Sequence, residues 1–130
     1  MITRRGLFAI AGLAVMAPLA GCSSVPEDMD EWVYKIGTQA QSTWKDYKAG
    51  KINPDDAYDA FAEYTDQLDS LSADDKIGSL YVMTAVGSLY WTLDAKVNDE
   101  DSLVAPNDPD EWASWLDNVL KGKYDDMPTD

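Results

Sequence analysis

The chain has 130 residues, with 24 acidic side chains against 10 basic ones, a single cysteine and no histidine, for a formal net charge of −14. Without histidine, Ser-His-Asp and Cys-His catalysis, haem ligation through imidazole and histidine-based zinc sites are all excluded. A chain this acidic also has no electrostatic footprint for nucleic acid, because phosphate binding needs clustered lysine and arginine.

The first 22 residues, MITRRGLFAIAGLAVMAPLAGC, have three parts. Arg4 and Arg5 form a positive start, Leu7 to Ala17 is apolar and uncharged, and small residues lead into Leu19-Ala20-Gly21-Cys22. The apolar run falls short of the roughly 20 residues needed to span a bilayer core and suits a processed export signal. It resembles the bacterial lipoprotein signal peptides. In that family the residues corresponding to Leu19-Ala20-Gly21-Cys22 form the lipobox, whose cysteine becomes the lipidated first residue. The resemblance covers these four positions and their lead-in. Thr3-Arg4-Arg5-Gly6-Leu7-Phe8 is similar to the twin-arginine export motif, with its hydrophobic pair in reversed order. The plainer readings are an ordinary positive n-region and an uncleaved anchor. The resemblance implies a signal peptide over 1–21, loss of the sole thiol to lipid, and an extracytoplasmic location in the bacterial cell envelope.

Removing residues 1–21 leaves 8 lysines against 24 carboxylates, a formal charge of −16. About 109 residues make one domain with a modest core that must stand without disulfides. Anionic head groups would not attract it, so its membrane attachment must come from acyl chains, at about 0.8 kcal/mol per buried methylene. Residues 22–26 form a short linker reaching at most roughly 15 Å.

The first helix is expected from Pro26 or Glu27, with acids at its positive end. Met29, Trp32, Val33, Ile36, Ala40, Trp44 and Tyr47 lie on one face, and Gly50 terminates it. Asn53-Pro54-Asp55-Asp56 starts a second helix, with Ala57, Phe61, Tyr64, Leu68 and Leu71 on one stripe and Asp55, Asp59, Glu63, Asp66 and Asp69 opposite. The spacing makes Asp59 and Glu63 part of a solvated face rather than an acid–base pair. Ser72 and Asp75 suggest a variant capping box ahead of a third helix. Ile77 to Leu93 follows, seventeen residues without a charge. A helix apolar nearly all round is central to a bundle or in a membrane, and its length, glycines and hydroxyls favour the bundle. Glycine inside a helix costs about 1 kcal/mol relative to alanine, so Gly78 and Gly87 imply close packing or a pocket.

Asn98 to Glu111 is an acidic loop with Leu103-Val104-Ala105 as an apolar clip. It does not fit an EF-hand, because Val104 falls where glycine is required and Asp110 where glutamate is. Asn107-Asp108-Pro109 starts a fourth helix, striped by Trp112, Trp115, Leu116, Val119 and Leu120 and ended by Gly122. Residues 123–130 read as a flexible acidic tail.

The expectation is therefore an all-α bundle of four helices over 27–122, the third one central. No phosphate loop is present and no arginine remains after residue 21, so no cofactor, metal or enzymatic activity is expected. The leading functional expectation is an interaction or accessory protein that binds an envelope partner through aromatic-rich helix faces. The alternative is a carrier or sensor of an apolar small molecule, in a groove built from Trp44, Tyr81, Gly87 and Trp91. Cation binding by the acidic loop ranks third.

Overall fold

A computed structural model describes residues 25–98 and 105–129. The residues of the signal resemblance (Arg4, Arg5, Leu19, Ala20, Gly21 and Cys22) and most of the acidic loop, with Leu103 and Val104, lie outside the described residues. Four helices follow in chain order: α1 Glu31–Lys48, α2 Pro54–Leu68, α3 Ile77–Val97 and α4 Pro109–Val119. No strand is present among the described residues.

Helix starts follow local chemistry where a capping side chain is at hand. The Asn53 side chain accepts from the Asp56 amide at 2.8 Å, with Pro54 in the first turn of α2. Asp108 does the same for Glu111 at 3.4 Å, with Pro109 behind it. Both supply acceptors to amides that no helical carbonyl can reach. Gly50 and Gly122 take φ of 77° and 81° just past α1 and α4, the left-handed conformation that ends helices.

Two starts differ from expectation because tertiary contacts decide them. Helix α1 begins at Glu31 rather than Pro26, since residues 26–29 form a separate turn closed by Met29 N–H to the Pro26 carbonyl at 3.1 Å. That turn aims the Asp28 carbonyl at the Gly78 amide, 2.8 Å away, and buries Met29. The buried Ser79 hydroxyl accepts from the Asp30 amide at 2.9 Å and donates to the Asp30 carboxylate at 3.0 Å. Ser72 and Asp75 close a turn of their own, through Ser72 N–H to the Asp75 carboxylate at 2.8 Å. They do not cap α3, which starts two residues later without a side-chain cap. The lead-in segment of α1 thus caps α3, satisfying one of its free first-turn amides.

Helix α3 touches all three other helices, whereas α2 and α4 do not meet among the described residues. Its buried stripe of Gly78, Ser79, Val82, Ala85, Val86, Leu89 and Leu93 meets Trp44 and Val33 from α1, Phe61 and Leu68 from α2, and Trp115 and Leu116 from α4. The expected stripes of α1, α2 and α4 face this core, with Trp32 left exposed and Tyr47, Tyr64 and Leu71 partly so. The acids Asp55, Asp59, Glu63, Asp66 and Asp69 are all exposed, as a solvated face requires. No helix among the described residues is long and apolar enough to cross a membrane.

The C-terminal segment is held at its beginning rather than free. The Tyr124 ring packs on Tyr81 at 5.2 Å between centroids, and Trp115 Nε1 donates to the Asp125 carbonyl at 3.2 Å. Burial, then Asp28 and Tyr81 nearby, raise the Tyr124 hydroxyl above its usual pKa.

Candidate functional site

The four residues expected to line one groove are parted. Trp44 is buried against Tyr47 and Phe61, with centroids 5.3 and 6.3 Å away. Tyr81 is half-buried between Trp115 and Tyr124, on another side of α3. Gly87 and Trp91, one turn apart, face outward, about 120° round the helix from Tyr81 to Gly87. The pattern of small residues also resolves differently from expectation. A Cβ on Gly78 would meet the Tyr124 hydroxyl at 2.5 Å and the Asp28 carbonyl oxygen at 2.7 Å, whereas a Cβ on Gly87 would meet nothing within 4 Å among the described residues. Gly37, whose role the sequence did not reveal, lets Leu120 and Val82 approach α1, at 2.8 and 3.2 Å from its would-be Cβ.

What remains on α3 is an outward stripe without a charge. Ile77, Leu80, Thr84, Gly87 and Trp91 recur at three- and four-residue steps and so share a face. Ile77 is 45% exposed and Trp91 42%, with the others between them half-buried. The hydroxyls on and beside this face are satisfied within the helix. Thr84 donates to the Leu80 carbonyl, Ser88 to that of Thr84 and Thr92 to that of Ser88, each at 3.0 Å. Hydroxyls bonded this way need no outside partner, so the face can be covered by apolar surface without leaving an unmade hydrogen bond.

At one end of the stripe stands an aromatic cluster. Tyr58 from α2 stacks on Tyr90 at 5.5 Å and 18°, their hydroxyls 3.4 Å apart, and Tyr90 meets Trp91 edge-on at 5.3 Å and 67°. The Tyr90 hydroxyl bond, then burial and the nearby Asp94, push the Tyr58 phenol up to about 12, so it is neutral at ordinary pH. This pairing runs between two helices and leaves no local sequence signature beyond the aromatic residues themselves.

A groove of about 500 Å³ lies elsewhere, between α1 and α4, lined by Gln41, Trp44, Leu89, Ala113, Ser114 and Asp117 among others. The exposed Lys48–Asp110 pair, 3.5 Å long, stands on its rim. Asp117 Oδ1 is buried there without a hydrogen-bond partner among the described residues. No group of three or more acids among the described residues is placed to hold a metal ion.

By fold this is a small all-α bundle around a central helix. No protein-family model, curated protein or solved structure matches the chain.

Proposed function

We propose that the chain is a lipid-anchored interaction module of the bacterial cell envelope, held at a membrane through Cys22 and docking another envelope protein on the outward stripe of α3. The observation that supports docking is Gly87. A mid-helix glycine costs about 1 kcal/mol relative to alanine, and no described residue lies within 4 Å of a Cβ built on this one. Its use is to let a second backbone approach between Thr84 and Trp91. The internally satisfied hydroxyls and the absence of charge along the stripe favour the same use in an otherwise strongly acidic protein. The short linker after Cys22 keeps the bundle within reach of membrane-bound partners.

The test is crosslinking in native membranes followed by pull-down of the full chain and of Gly87→Lys. The Cβ of that lysine meets no described atom within 4 Å, and circular dichroism checks that the variant is folded. One stoichiometric partner captured by the native protein and lost in the variant is the expected result. Equal capture by both removes the assignment to α3. Anchoring is tested separately by Cys22→Ser, which should release the protein from membranes or leave its leader uncleaved; normal cleavage with full membrane retention refutes it.

A second reading, small-molecule carriage, draws on the groove beside Trp44. Its apolar lining and the unpartnered Asp117 Oδ1 suit an apolar ligand bearing one donor. Asp117→Leu should then abolish ligand-dependent stabilisation, and unchanged stabilisation would exclude the groove.

A further inference from the structure

We infer that Tyr58, Tyr90 and Trp91, together with Asp94, form a cation subsite that receives a basic side chain of the docked partner, arginine in preference to lysine. This rests on the outward stripe of α3 being the docking face, and it specifies the partner's chemistry. The stacked Tyr58–Tyr90 pair and the edge-on Trp91 present differently oriented ring planes at one place. A guanidinium has a flat face for an aromatic ring and N–H groups for a carboxylate, a combination that ammonium lacks.

The carboxylate is in position. Asp94 follows Trp91 by three residues, so the two share a face of α3, and its field reaches the Tyr58 hydroxyl. Asp94 Oδ1 is steadied by the Asn98 side-chain amide at 2.8 Å. The ion pairs among the described residues are Lys48–Asp110 and Lys76–Asp30, so no described lysine neutralises Asp94. Lys96 shares its turn but lies about 200° round the helix. The negative end of the α3 dipole falls at this same end and adds to the attraction for a cation. Since Trp91 closes the uncharged stripe, the partner segment is apolar over about 20 Å, the rise from Ile77 to Trp91, and basic at one end. The net charge, −14 for the full chain and −16 once residues 1–21 are removed, favours the encounter.

Two labelled amphipathic peptides test this, identical in leucine and alanine and differing only in a terminal arginine or glutamine. Each is titrated against the full chain, with binding followed by fluorescence anisotropy. The arginine peptide should bind roughly tenfold more tightly. Trp91→Ala and Asp94→Asn should each remove most of that preference, and Asp66→Asn, at an exposed carboxylate on α2, should leave it intact. Circular dichroism confirms that each variant is folded. Equal binding of the two peptides overturns the cation subsite and leaves the docking face standing. Binding of neither overturns both. Equal losses from Asp66→Asn and Asp94→Asn reduce the preference to general attraction by an acidic surface and overturn the site.

Discussion

Three glycines among the described residues stand inside helices, and alanine at each separates intrinsic propensity from packing. Alanine is favoured over glycine by about 1 kcal/mol in a helix interior. At Gly87 no described atom lies within 4 Å of the added Cβ, so the gain is realised in full, and Tm should rise by about 4–8 °C for a domain of this size. At Gly78 the Cβ arrives 2.5 Å from the Tyr124 hydroxyl and 2.7 Å from the Asp28 carbonyl oxygen. Tyr124 can swing aside, but the Asp28 oxygen is backbone and accepts the Gly78 amide at 2.8 Å, so relief opens the cap on α3. Overpacking costs about 1–3 kcal/mol and an orphaned buried amide about 1–3 more, which outweighs the propensity gain. Gly37 falls between, because its nearest obstacle is the end of the flexible Leu120 side chain, and the net change should lie within about 1 kcal/mol. Thermal melts of the full chain followed by circular dichroism should therefore order Gly87→Ala above the native protein and Gly78→Ala well below it. A lowered Tm for Gly87→Ala, or an unchanged one for Gly78→Ala, would refute the packing assigned to α3.

Ser79→Ala removes the only described partner of the Asp30 amide and should cost about 1–3 kcal/mol, seen as a lower denaturation midpoint with unchanged slope. Asn53→Ala deletes the α2 cap and should cost about 1 kcal/mol, whereas Lys48→Met breaks an exposed 3.5 Å pair and should change stability by less than about 0.5 kcal/mol; a larger loss for Lys48→Met than for Asn53→Ala would invert the ranking. Tyr58 loses its proton near pH 10 when unfolded and at about 12 when folded. Its contribution is thus complete below pH 10 and lost as pH rises through 12, because the unfolded chain ionises first. Tyr58→Phe should flatten the alkaline fall of Tm, and an equally steep fall would show that the Tyr58–Tyr90 bond does not govern it.

The amino-acid sequence alone determined the features that rest on neighbouring residues. Asn53-Pro54 and Asp108-Pro109 mark two helix starts, Gly50 and Gly122 two helix ends, and the uncharged run from Ile77 to Leu93 the central helix, because caps, turns and periodicity act within a few residues. Tertiary structure decided whatever depends on an approach from a distant part of the chain. The start of α1 moved to Glu31 because the Asp28 carbonyl is drawn to Gly78, a partner fifty residues away. Tyr124 packs on Tyr81 for the same reason. Gly78 and Gly87 read alike in the chain, yet one is wedged against Tyr124 and the other faces open space. Likewise, the periodicity placed Gly87 and Trp91 on one face, but which face of an all-apolar helix is left uncovered depends on where α1, α2 and α4 settle. The outward stripe and its aromatic end are therefore properties of the packed bundle, arising because the three described helices that pack on α3 all meet its other sides.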